Sequence, residues 1–362
     1  MTVTMPQLFD LMVEEGASDV HITVGRPPVV RKHGRLQNVR HPSLGPEDAM
    51  RLVESIAPER MLMEFRERGS ADFAYAHGQR ARFRVAIFRQ RGHAAMVARL
   101  IPNQILAFDE IGLPQSVQDL CTRPRGLVLV TGPTGSGKTT TLATMIDAIN
   151  TDQDVHIITI EDPIEYYHTH KKAIVNQREI GVDVPGFAEG LRRALRQDPD
   201  VILVGEMRDR ETIATAITAA ETGHLVFGTL HTTGSARTMD RIIDQFPSDQ
   251  QEQIRVQLSV SILAVLSQVL MPRLDKRGMI AAFEVMIMTP AIENHIRKAE
   301  TFKVPSTIQT SKNLGMFLLD DHLFELVRGG KIDVQTALSK AQSQKHLKEK
   351  LDGLAVSGGV TP

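Results

Sequence analysis

Gly132-Pro-Thr-Gly-Ser-Gly-Lys-Thr139 decides how this chain is read. An apolar run ending at Thr131 precedes the segment, and a helical pattern from Thr140 to Ile149 follows it. Glycines in such a turn let successive backbone N–H groups point inward as a nest for phosphate oxygens. The helix that follows brings its positive end to the same anion. Lys138 is then placed to reach the β- and γ-phosphates, and the Thr139 hydroxyl to ligate Mg²⁺. Gly132, Pro133, Thr134, Gly135, Ser136, Gly137 and Thr140 complete the expected cradle. The pattern implies ATP with Mg²⁺ as the ligand.

Outward from the loop, apolar runs at Leu127–Val130, His156–Ile160, Val201–Val204 and Leu225–Leu230 read as buried strands. Helical patterns lie between them, the rhythm of a parallel sheet with crossover helices. Asp198-Pro-Asp-Val-Ile-Leu-Val-Gly-Glu206 is an apolar strand that ends in a carboxylate. Glu206 at that point could position an attacking water or act as general base; the segment also reads as an ordinary strand before a solvated Glu-Met-Arg-Asp turn. Glu161-Asp-Pro-Ile-Glu165 follows a second strand, at the end where ligands bind in open parallel sheets. Glu161 and Glu165 could hold Mg²⁺ or its waters, or stabilise a helix N-terminus. His224 and His231 bracket a third strand. A His at a strand's carboxyl end can sense the γ-phosphate or make a structural contact. No cysteine or nearby carboxylate completes a zinc site with this pair.

The first hundred residues read as a small α+β domain. Gln7–Glu15 and Glu47–Glu54 have helical spacing, and Asp19–Val24, Val29–Lys32 and Ala81–Arg89 alternate like strands, with a turn at His33-Gly34. Arg80, Arg82 and Arg84 share one face of the last strand. Arg82, Arg84, Arg89 and Arg91 are either a solvated face or fingers that reach a neighbouring subunit's nucleotide. Ile101-Pro102 and the Gly112/Pro114 neighbourhood suggest a connector. Ser248 and Gln251 suggest a capping box for the helix after Pro247. Val256 to Met271 is the most apolar stretch, yet it is shorter than the ~20 residues of a spanning helix and contains three serines and two glutamines, so it reads as a buried core helix.

The chain has 362 residues, 42% apolar and 23% charged, with a formal net charge of −1. Near-neutral charge argues against a general nucleic-acid binder, which needs a basic footprint. A single cysteine, Cys121, excludes an internal disulfide and a four-cysteine zinc site and fits a cytoplasmic setting. The acidic N-terminal stretch does not resemble a signal peptide, and no transmembrane segment is expected.

With these segments lined up, the chain resembles the secretion-superfamily ATPases, and among them the retraction ATPases of type IV pili, the PilT family. Four blocks carry the match: GPTGSGKTTT (Gly132–Thr141), ITIEDPIEY (Ile158–Tyr166), LRRALRQDPDVILVGEMRD (Leu191–Asp209) and AAETGHLVFGTLHTT (Ala219–Thr233). They look like the family's Walker A, Asp box, Walker B and His box. SDVHI (Ser18–Ile22) and RFRVAIFRQ (Arg82–Gln90) also match.

The resemblance implies an α/β fold in which a PAS-like α+β domain (1–100) and a linker (101–113) precede a RecA-like P-loop domain (114–289). A helical C-terminal extension (290–347) follows; the tail (348–362) lies beyond the match and is expected to be disordered. It implies a ring-shaped homohexamer with ATP between one subunit's RecA-like core and a neighbouring N-terminal domain. Glu206 would be the catalytic or metal-organising glutamate, Glu161 to Glu165 would support Mg²⁺, and His231 would sense the γ-phosphate. Arg82, Arg84 or Arg89 would act across the interface. The motor would sit at the cytoplasmic face of the inner membrane and turn a pilus platform protein, so that pilin subunits leave the fibre.

Extension relatives usually carry a long N-terminal region and a tetracysteine zinc insertion, and this chain has neither, which favours retraction. Retraction enzymes usually carry Ala-Ile-Arg-Asn-Leu-Ile-Arg-Glu where this chain has Ala291-Ile-Glu-Asn-His-Ile-Arg-Lys298. A related secretion or DNA-uptake ATPase, or an accessory paralogue with weak turnover, shares every nucleotide residue.

Overall fold

The computed structural model describes residues 3–32, 34–78, 80–101, 105–275 and 278–356. The chain divides into two compact units, Met1–Gln104 with Pro163–Tyr167, and Ile105–Asp162 with His168–Pro362. His33 and Pro102, to which turn and connector features were assigned, and residues 357–362 of the expected tail lie outside the described residues.

The first unit is built on six antiparallel strands: β1 (Asp19–Ile22), β2 (Val29–Lys32), β3 (Arg35–Asn38), β4 (Ser70–His77), β5 (Ala81–Gln90) and β6 (His93–Ile101). Their order in the sheet is β3-β2-β1-β6-β5-β4. The helix Met5–Glu15 buries Met5, Leu8, Phe9 and Met12, the one-sided stripe its spacing dictates. Phe9 stacks on Phe83 of β5 with ring centroids 3.9 Å apart. Phe83, Val85 and Ile87 face this core, so alternation sends Arg82 and Arg84 to the other face. The β5–β6 hairpin closes on Arg91 and Gly92, both with positive φ (50° and 81°), the two-residue geometry that matches strand twist. β3, β4 and β6 were not legible beforehand. β4 and β6 are rich in alanine, which carries little strand preference.

The second unit holds seven strands: β7 (Gly126–Thr131), β8 (His156–Glu161), β9 (Ile174–Glu179), β10 (Val201–Val204), β11 (Leu225–Leu230), β12 (Ile262–Pro272) and β13 (Met279–Ile287). Their order is β13-β12-β7-β11-β10-β8-β9, all parallel except β13. Both faces are buried. Leu127, Leu129, Ile158, Ile160 and Ile202 enter one core, and Val128, Val130, Ile157, Leu203 and Phe227 enter the other. That explains why these strands read as continuous apolar runs.

Three expectations need correction. Val256–Met271 is not one helix: the helix Gln251–Ser261 stops, and β12 begins at Ile262 between β7 and β13. Periodicity does not distinguish a short buried helix from a central strand. The Ser248/Gln251 capping box does not form. The helix starts after Gln250, and Gln251 Nε2 donates to the Phe246 carbonyl at 3.1 Å. The expected disordered tail is helical as far as Val356, because the helix Gln344–Val356 seats Leu347 and Leu351 on the C-terminal cluster formed with Leu319, Leu323 and Val269.

A buried carboxylate ties these layers together. Glu284 on β13 accepts from Ser235 N (2.7 Å), Ser235 Oγ (2.8 Å) and Gln342 Nε2 (3.0 Å). Glu284→Ala strands those donors and is expected to lower the unfolding free energy by about 3 kcal/mol. Urea denaturation checks this; a loss below about 1 kcal/mol, the scale of an ordinary hydrogen bond, would mean the network is dispensable.

His322 accepts the Phe283 N–H at Nδ1 (3.0 Å), and burial holds its pKa below the usual histidine value. The unfolded chain therefore takes up a proton that the folded chain refuses, and stability falls as pH drops below about 6.5. The urea midpoint should decline between about pH 7.5 and 5.5, and His322→Gln should reduce that decline. An identical decline in the variant would assign it to other groups.

Candidate nucleotide site

The loop between β7 and the helix Lys138–Asp152 turns on Gly132, Gly135 and Gly137, with φ of 142°, 76° and 89°. Crowding fixes Gly132 as well: a Cβ there would lie 2.2 Å from the Gln268 carbonyl oxygen and 2.7 Å from Ser136 Oγ. Pro133, Thr134 and Gly135 are exposed, while Thr139 and Thr140 are half-buried in the first turn of the helix. That turn is the positive end of the helix, the end to which anions bind. Lys138 Nζ donates to the Gly132 (2.8 Å) and Pro133 (3.1 Å) carbonyls, which folds the ammonium over the loop. Ser136 Oγ is buried with no hydrogen-bond partner among the described residues. These features fit an anionic, phosphate-bearing ligand.

Glu206 and His231 follow neighbouring parallel strands, β10 and β11, and His231 Nε2 lies 2.9 Å from Glu206 Oε1. Arg208 also pairs with Glu206, and that contact, with Asp162 in range, raises the guanidinium pKa further. The Glu206 turn is clamped on both sides. Gly205 N donates to Ile160 O of β8 (2.8 Å), Thr229 Oγ1 of β11 to Gly205 O (2.5 Å), and Met207 N to Thr229 O (3.0 Å). A Cβ at Gly205 would meet Ile160 O at 3.0 Å, so the close approach to β8 favours glycine.

Glu161 ends β8, is 8% exposed, and accepts from Thr159 Oγ1 (2.6 Å) and Gln177 Nε2 (3.1 Å). Glu165 belongs to the first unit with Pro163–Tyr167, whereas Glu161 belongs to the second. Among the described residues no group of three His, Cys, Asp or Glu is arranged to hold a metal ion. The Thr139 hydroxyl would be the loop's donor to an Mg²⁺ that takes its other oxygens from phosphates and water. His224 Nδ1 contacts the Ala219 carbonyl (2.9 Å), a structural role.

The three arginines differ. Arg82 is 5% exposed, donates to the Ile164 carbonyl (3.1 Å) and lies 3.3 Å over the Tyr167 ring. Arg89 donates to the Arg66 carbonyl (3.1 Å) and sits over Phe65. Arg84 is exposed. The sequence reading did not single out Arg208, Gln177 or Gln268. The Ser267-Gln268 pair inside an otherwise apolar strand was the available signal for the last.

A cavity of about 450 Å³ adjoins the loop on its helix side, lined by Ser136, Thr140, Thr141, Leu270, Arg273 and Phe283 among others. Its mixture of apolar walls and a few polar groups is that of a small-molecule pocket.

The chain is 47% identical over 336 residues to the type IV pilus retraction ATPase PilT of Pseudomonas aeruginosa, covering 93% of this chain and 97% of that one. It is 46% identical over 320 residues to the twitching motility protein of Neisseria gonorrhoeae, covering 88% and 86%. The crystal structure of the pilus retraction motor PilT with bound ADP aligns with a TM-score of 0.90 at 45% identity, over 96% of this chain and 99% of that one. Residues 3–329 match the model of the type II/IV secretion system protein family. That span takes in both sheets and the Gly132–Thr139 loop, and the chain belongs to the type II/IV secretion system protein family.

Proposed function

We propose that this protein is a cytoplasmic, ring-forming ATPase that drives retraction of type IV pili from the inner-membrane face. The observation that carries the reading is the Glu206–His231 pair beside a complete P-loop, in a chain 47% identical to a pilus retraction ATPase over nearly its whole length. The triphosphate lies along the Gly132–Thr139 loop, with the base and ribose in the adjoining cavity. Lys138 exchanges its two loop carbonyls for phosphate oxygens, which is favourable because anionic acceptors bind an ammonium more strongly than neutral ones. Mg²⁺, where bound through Thr139, neutralises charge on the phosphate oxygens. Glu206 orients the attacking water and draws on its proton, while His231 links Glu206 to the γ-phosphate position. Glu161, fixed by Thr159 and Gln177, would hold a water of the metal, and Glu165 would have a lesser part.

Arg84 is the arginine best suited to reach a neighbouring subunit in a hexamer, since Arg82 and Arg89 are engaged within their own unit. The platform partner is a protein of the inner membrane, and neither nucleic acid nor zinc takes part. Among the described residues no helix is long and apolar enough to cross a membrane. The altered Ala291–Lys298 segment favours a second reading, an accessory paralogue. Ile292 and Ile296 stay buried and Glu293 pairs with Arg297 (2.8 Å), so the changes leave the helix intact.

Steady-state ATPase activity measured across a size-exclusion profile tests the motor. Activity should be confined to a hexamer-sized peak and lost in Lys138→Ala; a fully active monomer would sink the ring mechanism. Glu206→Gln should retain ATP binding while turnover falls by about 10²–10⁴-fold, the usual worth of a positioned base. Normal turnover in that variant would remove Glu206 from the chemistry.

A further inference from the structure

Gln268 stands beneath the Gly132–Thr139 loop and lines the adjoining cavity. It lies in the middle of β12, next to β7, and is 1% exposed. Its amide is used at both ends. Nε2 donates to the Ser136 carbonyl at 2.6 Å, and Oε1 accepts from Thr141 Oγ1 at 2.9 Å. Its backbone carbonyl is the atom that leaves no room for a Cβ at Gly132, and its Nε2 would lie 3.2 Å from a Cβ at Gly137. One residue of a neighbouring strand thus touches the beginning and the end of the loop and the first turn of the helix.

The geometry has a chemical consequence. A trans peptide is planar, with its C=O and N–H on opposite sides. When Gln268 draws the Ser136 carbonyl toward β12, the N–H of Gly137 in the same peptide plane must point the other way, into the hollow of the loop. That N–H is one of the donors a phosphate nest requires. The Ser136 carbonyl can only accept, so it fixes which way the amide is turned: the NH₂ group faces Ser136, and Oε1 is left to accept from the Thr141 hydroxyl. A glutamate, whose two oxygens are both acceptors, could serve Thr141 but not the carbonyl.

We infer that Gln268 is a positioning residue for nucleotide binding, which holds the Ser136–Gly137 peptide in its phosphate-binding orientation before the ligand arrives. The inference rests on the reading of this loop as the nucleotide site. Pre-organised donors bind without the cost of ordering, so loss of the latch should weaken affinity. It should act much less on the step after binding, because the bound phosphates themselves then hold the peptide.

The test is titration of a fluorescent N-methylanthraniloyl ADP into the full-length protein, with ATPase kinetics on the same preparations. Gln268→Met keeps the side chain's length and removes both hydrogen bonds, and Gln268→Glu keeps only the Thr141 contact. Both are expected to weaken ADP binding about tenfold, the scale of a buried group left unpaired. KM for ATP should rise in parallel, with kcat within about threefold of the parent protein. Thr141→Val, which removes the amide's second anchor and leaves the loop sequence intact, should weaken binding about threefold. Unfolding temperature and oligomer size should match the parent. The inference is overturned if the variants bind ADP within about twofold of the parent, or if affinity is lost only together with the fold. If the Gln268 variants do not fold, parent-like affinity in Thr141→Val overturns it. Failure of the parent protein itself to bind ADP would instead remove the nucleotide reading.

Discussion

The hydrogen-bonded order β12-β7-β11-β10-β8 governs everything else in the second unit. Adjacent strands are held about 4.8 Å apart by their ladders, and parallel strands deliver their carboxyl ends to one edge. The P-loop leaves β7, His231 leaves β11, Glu206 leaves β10 one residue later, and Glu161 closes β8. Groups scattered over a hundred residues of sequence thereby come to one edge of the sheet. The register Val204↔Gly228 and Leu230↔Thr131 sets how far each loop projects, and the 2.9 Å contact between His231 and Glu206 follows from it. A slip of one residue in any of these ladders would turn a functional side chain to the wrong face of the sheet.

That edge is maintained by polar groups placed inside an apolar sheet, where each must find a partner. Ser267 and Gln268 are consecutive on β12 and so point to opposite faces. Ser267 Oγ accepts the Gly234 N–H at 2.8 Å, at the start of the helix after the His231 loop, while Gln268 serves the P-loop. Glu284, directly across from Ser267 in the β12–β13 register, takes the next donor in line, Ser235. The Gly132–Thr139 loop and the loop after His231 are therefore anchored from a single strand pair. The C-terminal helices join the same network through Gln342, so the loop after His231 and the C-terminal extension share one carboxylate.

How much of this could be read beforehand depended on where the information sits. The four central parallel strands were legible because burial on both faces leaves an unbroken apolar run, as in Leu127–Val130. The P-loop was legible because backbone geometry there dictates glycine. β12 was misread for the same reason that the others succeeded: an apolar run of that length satisfies a buried helix as well as a strand, and only pairing with β7 and β13 decides. Gln268 and Arg208 were missed because their partners, Ser136 and Glu206, are defined by folding. Gln268 and Ser136 are 132 positions apart.

The arginine strand marks where sequence reasoning runs short. Alternation correctly put Arg82 and Arg84 on the face away from Phe83, but treated them as equivalent. Structure separates them by burial. Arg82 is covered by Ile164 and Tyr167 of the segment after Asp162, where its guanidinium has a carbonyl on one edge and a ring beneath. Such a group is desolvated and paired, and to leave that place it must break a charge-assisted hydrogen bond and a stacking contact. Arg84, two residues on, carries no such cost and keeps its full reach toward solvent. Two side chains with identical chemistry on one face of one strand thus differ in cost: the first is held against Ile164 and Tyr167, and the second is exposed.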